Sequence, residues 1–417
     1  MERAKQVEEA GVIPLSKSKS FILLWLTTVS SSLSLSMFMF IQSWYVVEDL
    51  GREAALGIVL VCLTGMRMIS MIVGGVVADR SRQTTVMAFS DLSLACVMIL
   101  LAGAFMYFSE VPIGILAVNA ALFGICGGFF EPARDALLPK VVKVEQLTRA
   151  NSSLQAAIQI ALFTGPLLTG VLVNFLSYSF VLMLIGMFLS FSGVGVLFIK
   201  QINEKPKQRG EILFKKQLTE GFIYTWQSSL LRALLIITII VNFFISGPLM
   251  MGLPIFVEGV LSGSSIDFSF VQGGFTFGMI FGSIVIGLMN IQRKRGSYAL
   301  YFIALQGVVI LVFSQVTSIA AAISIIIFIG MLNPAVNIPL ISMIQSHADP
   351  QKVGRVMSLI RTGSLGLIPL SYAVTSVFLG MGVQIQTLMA WSSLPLILSV
   401  VVLYFSYPIL KAATRCR

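Results

Sequence analysis

Charge is scarce in this chain: of 417 residues only 18 are Asp or Glu, 28 are Lys or Arg, and a single one, His347, is histidine. So few polar side chains cannot cover a water-soluble globule of this length, which excludes a soluble domain. A lone histidine with no nucleophile and base grouped around it offers no enzyme active site. Cys62, Cys96, Cys126 and Cys416 are scattered without metal-ligand spacing, so neither a disulfide framework nor a metal site is expected. No Gly-x-x-x-x-Gly-Lys-Ser/Thr phosphate loop occurs, which removes ATP as a direct energy source, and no cofactor is expected.

What the chain has in abundance is apolar sequence, 57% of all residues, with a mean hydropathy of +0.93. A bilayer core about 30 Å thick takes about 20 apolar residues per helix. Twelve such stretches can be read: 21 to 47, 54 to 78, 86 to 108, 112 to 130, 150 to 176, 178 to 199, 234 to 257, 268 to 289, 298 to 315, 319 to 341, 356 to 379 and 385 to 407. The expected fold is an all-α integral membrane protein. The net charge of +10 could suggest nucleic acid, but its distribution points to the bilayer instead. With the N-terminus inside, Arg80, Arg82, Arg134, Lys140, Lys143, Arg149, the cluster from Lys200 to Arg232, Arg293 to Arg295, Lys352 and Arg355 share the cytoplasmic side, and Arg52 stands alone on the other. An odd span count would destroy that bias, so both termini are expected in the cytoplasm. The first twenty residues contain no cleavage pattern, and the first apolar block reads as an uncleaved helix.

Composition shifts sharply once, at Lys200 to Arg232, and splits the spans six and six. The expected division is an N-terminal bundle at 1–199, a cytoplasmic linker at 200–232 and a C-terminal bundle at 233–417. Phe214, Leu218, Phe222 and Trp226 recur every four residues in the linker, which suggests an amphipathic helix on the inner leaflet, either packed on the bundle or regulatory. The halves echo each other as parallel repeats do. Val46-Val47-Glu48 closes span 1 as Phe256-Val257-Glu258 closes span 7, and charged turns follow spans 2, 4, 8 and 10, those after spans 4 and 10 running from Pro132 to Arg149 and from Pro339 to Arg355.

Three local patterns carry a resemblance. Between spans 2 and 3 lies Gly75-x-x-x-Asp79-Arg80-x-Arg82, where the glycine is expected to let two helices approach closely. At the end of span 4 stands Phe129-Phe130-Glu131-Pro132-Ala133-Arg134-Asp135-Ala136-Leu137-Leu138-Pro139, and in span 5 Gly165-Pro166-Leu167-Leu168-Thr169-Gly170. Together they resemble the major facilitator superfamily, specifically its drug:proton antiporter-3 branch of macrolide efflux pumps and the enterobactin exporter, over nearly the whole chain. The resemblance implies two pseudo-symmetric six-helix bundles. It also implies a gating turn of Gly75, Asp79, Arg80 and Arg82, with Asp79 facing the start of span 11 near Gly354 to Met357, and an exporter-type helix motif at Gly165, Pro166 and Gly170. The chain departs from the family in having Gln83 where a basic residue usually stands, and Thr169 in place of a glycine.

Arg67 lies twelve residues before Asp79, about 18 Å along the helix and near mid-membrane. A guanidinium there faces an aqueous cavity, where it would attract an anionic or electron-rich group, or is satisfied by carbonyls within the bundle. No acidic residue is placed at its depth by sequence. Gln42, Asn119, Gln155, Gln159, Asn242 and Asn337 are further candidates for a substrate cavity, or for interhelical hydrogen bonds. Proton coupling needs a titrating carboxylate, for which Glu48, Asp49, Glu258, Asp91 and Glu131 are the candidates; Asp91 and Glu131 read rather as an inner-side charge network with Arg134, which puts Glu48 and Glu258 forward as proton sites. The resemblance implies a secondary transporter that exports a small amphipathic drug, antibiotic or siderophore by proton antiport and alternating access. The expected setting is a bacterial inner or plasma membrane, with a monomer as the default and no nucleic-acid partner. A lysophospholipid or metabolite transporter of the same fold, and a transporter-like sensor, are the alternatives.

Overall fold

The computed structural model describes residues 15–200, 222–289, 295–349 and 353–406. They form long helices joined by short turns. In chain order these are α1 (Lys19–Glu48), α2 (Glu53–Arg80), α3 (Gln83–Tyr107), α4 (Ile113–Gly127), α5 (Phe130–Val141), α6 (Leu147–Phe175), α7 (Tyr178–Leu197), α8 (Ser229–Ile245), α9 (Gly252–Gly259), α10 (Ser265–Met289), α11 (Arg295–Phe313), α12 (Ile319–His347), α13 (Val353–Gly380) and α14 (Ile385–Ser406). Among the described residues eleven helical rods are long and apolar enough to cross a membrane, and α13 contributes the shorter apolar stretch Gly366–Gly380. Every one of the twelve apolar runs read from sequence falls on a rod.

Two rods run on past the ends expected of them. Span 4 continues from α4 through a turn at 128–129 into α5, so the segment from Pro132 that was read as a loop is helical to Val141. Pro132 is the third residue of α5, where a missing amide costs no intrahelical bond. Span 10 likewise extends through His347 with Pro334 and Pro339 inside α12.

The chain divides into two compact units, Met1–Ile41 with Cys62–Gln208, and Gln42–Val61 with Arg209–Arg417. The division departs from a simple cut at the linker, because the adjoining tips of α1 and α2 belong with the second unit. There Trp44 stacks on Phe268 with ring centroids 5.4 Å apart, and the Ser376 hydroxyl donates to the Ala54 carbonyl. The greater part of the linker lies outside the described residues, including Phe214 and Leu218. Its last turn is helical over 222–227, with Phe222 and Trp226 stacked at 5.5 Å and the Arg232 guanidinium 5.8 Å from the Trp226 ring centre.

Within the first unit, hydroxyls and amides tie helices together by donating to backbone carbonyls: Ser30 to Phe188, Ser90 to Cys126, Ser192 to Thr27 and Asn119 to Val97. Such bonds are worth having where no water competes. The second unit holds a more elaborate case. Between α8 and α9 the helix widens into a π turn at Ser246–Met251, which contains Pro248. The Ser371 hydroxyl of α13 accepts from Gly247 N at 2.7 Å and donates to the Phe243 carbonyl. Those two backbone groups, four residues apart, are the pair that an α-helix would join directly, so the hydroxyl is spliced into the ladder. Ser371→Ala is expected to leave both groups unpaired and to cost about 1–3 kcal/mol, read as a lower thermal unfolding midpoint of the detergent-purified protein. An unchanged midpoint would mean that the turn recloses without the hydroxyl.

Candidate functional site

In the first unit α2 and α4 meet through small residues. A Cβ on Gly124 would collide with the Leu63 carbonyl oxygen and stand 3.0 Å from Arg67 N; one on Gly128 would stand 2.5 Å from Ser70 Cβ and 2.8 Å from the Arg67 carbonyl oxygen. The Gly-x-x-x-Gly face of α4 therefore lies directly on the α2 backbone at Arg67. Glu131 follows Gly124 by seven residues and Gly128 by three, so it continues nearly the same face into α5. That register brings Arg67 Nη2 within 2.7 Å of Glu131 Oε1, with the two side chains 19% and 37% exposed.

The pair stands in the wall of a small, partly open recess. Ser31 and Ser32 of α1 add hydroxyls, Arg134 a second cation, and Phe123, Phe130, Leu35 and Leu94 an apolar surface. Arg134 is itself engaged, its Nη2 and Nε at 2.9 and 3.1 Å from Asp135 Oδ1. A small guest with an apolar body and a charged or polar end matches this lining.

The expected network of Asp91, Glu131 and Arg134 is parted. Glu131 pairs with Arg67, Arg134 with Asp135, and Asp91 is wholly buried in α3, where its Oδ1 accepts from Ser31 Oγ at 3.0 Å. Arg67 does have an acid at its depth, contrary to the sequence reading, because the helix carrying Glu131 does not stop at the membrane edge. Of the seven cavity candidates only Arg67 lines the recess. Asn119 bonds the α3 backbone at Val97, Asn242 its own helix at Thr238, and Asn337 its own helix at Asn333. Gln155 is exposed and Gln159 half-buried on α6, while Gln42 is buried in the second unit with neither amide atom bonded.

At the end of α2, Asp79, Arg80 and Arg82 are exposed. Among the described residues Gly75 has open space where a Cβ would sit, and the close approach expected of it falls to Gly74, whose Cβ would lie 2.9 Å from the Gly128 carbonyl oxygen. Gln83, in the place of the family's basic residue, donates to the Ala78 carbonyl at 2.6 Å and accepts from Lys140 Nζ at 2.7 Å. Lys140 of α5 thus brings a cation to the turn from another helix. The side chain of Arg355, at the start of α13 where Asp79 is expected to point, lies outside what the structure describes.

In the exporter-type motif, Pro166 lacks the amide that would bond the Leu162 carbonyl, and Ser36 Oγ of α1 supplies a donor there at 3.4 Å. A Cβ on Gly165 would lie 2.7 Å from Ser36 Cβ, so α1 and α6 pack tightly at this level. Gly170 is buried further along the same helix. Glu48, exposed at the tip of α1, and Glu258, half-buried on α9, are close enough in the second unit to repel each other. Lys140 is read from the sequence only as one of the cytoplasmic cations, and Gly124 and Gly128 are missed, although the Gly-x-x-x-Gly spacing three residues before Glu131 is a usable signal.

The family profile described as Major Facilitator Superfamily matches residues 24–370. An uncharacterized MFS-type transporter of Bacillus subtilis (strain 168), YvqJ, is 24% identical over 338 residues, 78% of each chain. Macrolide efflux protein A of Streptococcus pyogenes is 22% identical over 298 residues, 70% of this chain and 72% of its own. A solved structure of a peptide transporter POT in complex with sulfate covers 96% of each chain with a TM-score of 0.73 at 14% identity, a likeness of fold alone. The match across most of the length and the architecture of long apolar helices agree: the chain belongs to the Major Facilitator Superfamily, as a multi-pass membrane transporter and not an enzyme.

Proposed function

We infer that the protein is a secondary active transporter that exports a small amphipathic molecule of the drug, antibiotic or siderophore class in exchange for protons. It works by alternating access in a bacterial cell membrane, with both termini in the cytoplasm and the proton gradient as its energy source. The observation that carries this reading is the Arg67–Glu131 pair in the wall of a recess inside a membrane-spanning bundle. Charged groups at membrane depth are retained where water or cargo reaches them. The recess offers a cation, an anion and hydroxyls beside phenylalanine and leucine, which suits a guest with both an apolar and a polar part. The name of one relative, macrolide efflux protein A, supports outward movement of a drug-like cargo.

The test is accumulation of a panel of fluorescent drugs, a macrolide and catecholate and carboxylate siderophores in cells expressing the wild type or Asp79→Asn, with and without a protonophore. Lower accumulation of at least one compound is expected, and both the protonophore and Asp79→Asn should abolish the difference while the variant still reaches the membrane. Export that ignores the protonophore would refute antiport, and normal export by Asp79→Asn would remove that carboxylate from gating. No export of any compound would refute the cargo class.

A further inference from the structure

We propose that Asp91 carries the exchanged proton and trades it with the recess through the Ser31 hydroxyl, a proposal that rests on the proton-coupled export inferred above. Asp91 sits eight residues into α3, about 12 Å from the start of the helix, and no part of it is exposed. Its Oδ1 accepts from Ser31 Oγ at 3.0 Å, and its Oδ2 has no hydrogen-bond partner. Ser192 of α7 lies beside the carboxyl but gives its hydrogen to the Thr27 carbonyl at 3.0 Å, so what it offers Asp91 is a lone pair and not a donor.

Among the described residues no cation pairs with the group. On α2 Arg67 is held by Glu131, and on α5 Arg134 is held by Asp135 and Lys140 by Gln83. The titratable group of α4, Cys126, is uncharged as a thiol, and its carbonyl takes the Ser90 hydroxyl. An ionised carboxylate requires donors on both oxygens, and this one finds a single hydroxyl. A hydrogen on Oδ2 removes the charge and turns the Ser192 lone pair into an acceptor. The arrangement therefore fits the protonated acid, and it would fit the carboxylate only after a movement admits water.

Ser31 is the link to the exterior, since it both bonds Asp91 and lines the recess. Rotation of the carboxyl places the acid hydrogen against Ser31 Oγ. Ser31 accepts it and releases its own hydrogen to water in the recess, leaving a carboxylate and a hydronium ion with no redox change. Loading is the reverse. The Arg67–Glu131 pair shares that recess, so cargo that occupies it would exclude the water the proton needs. Proton and cargo would then compete for one space, which is the requirement of an exchanger.

The deciding measurement is infrared difference spectroscopy of the purified protein in lipid nanodiscs, following the protonated-carboxyl C=O band as pH is stepped from acidic to alkaline. The wild type should show a titrating band that Asp91→Asn lacks and that Asp91→Glu restores at a shifted frequency. Ser31→Ala should move the same band, because it removes the hydrogen bond to Oδ1, and this assigns the band even if Asp91→Asn does not fold. A wild-type spectrum with no band that depends on Asp91 or Ser31 would overturn the proposal without touching antiport. With a cargo identified from the panel, Asp91→Asn in proteoliposomes should keep cargo counterflow but lose accumulation driven by a pH gradient. If Asp91→Asn pumps like the wild type the proposal falls and antiport stands, whereas a wild type indifferent to the pH gradient removes both.

Discussion

Glu131→Gln should cut export about tenfold to a hundredfold while leaving the protein inserted in the membrane. The substitution keeps the size of the side chain and removes the charge that faces Arg67 Nη2 at 2.7 Å. Arg67 cannot follow by releasing a proton, because a guanidinium stays charged at any physiological pH. A stranded cation between packed helices costs roughly 1–3 kcal/mol at this partial exposure, less than the figure of about 3–5 kcal/mol for breaking a fully buried pair. A conformational equilibrium biased by that amount changes transport by about tenfold to a hundredfold. The opposite truncation, Arg67→Ala, should do less to stability, since Glu131 is the more exposed partner and can be hydrated. Arg67→Lys should fall between the two, as it keeps the charge and loses the planar fork. Transport and thermal unfolding measured on the three variants check this order; full export by Glu131→Gln would show that the pair only fixes the helices in place.

The reason this pair could not be read from the sequence is specific. Apolar run length finds rods well because the bilayer imposes it, and all twelve runs were found in that way. It finds their ends poorly. The apolar run of span 4 stops at 130 and the charged turn is expected from Pro132, although at the third position of α5 that proline costs no hydrogen bond, and with the rod cut at 130 Glu131 falls outside the membrane. Asp91 was assigned to a charge network because an early position in span 3 seemed near that end, whereas the α1 and α7 hydroxyls that actually surround it are set by packing at sequence separations of 60 and 101 residues. Side chains that bond their own helix, such as Asn242 to Thr238, look identical in sequence to those facing a cavity. The Ser371 splice depends on α13 lying against α8, and nothing in the local sequence of either helix announces it.

Gly124→Ala should destabilise the protein by about 1–3 kcal/mol and Gly124→Leu should prevent it from folding. The added methyl would meet the Leu63 carbonyl oxygen and Arg67 N, which are helix backbone and cannot rotate away. The helices must therefore separate, and the contact that sets Arg67 against Glu131 separates with them. Helix propensity runs the other way, since alanine is favoured over glycine by about 1 kcal/mol in a helix interior. Gly103→Ala in α3, where nothing lies within 4 Å of the new carbon, isolates that term and should be neutral or stabilising. The second unit supplies an independent copy of the experiment. A Cβ on Gly278 of α10 would collide with the Ile327 carbonyl oxygen and stand 3.0 Å from Met331 N, the same pair of ladder groups four residues apart, now on α12. Each half thus joins its second rod to its fourth through a glycine set on the backbone of the partner, and in the second unit Gly330 of α12 is set in the same way on the Phe275 carbonyl of α10. Gly278→Ala should accordingly destabilise as Gly124→Ala does, but without moving the Arg67–Glu131 pair, which belongs to the other unit. Unfolding midpoints that fall together while only Gly124→Ala loses transport beyond its lowered stability would separate the role of the glycine in holding the helices from its role in holding the site.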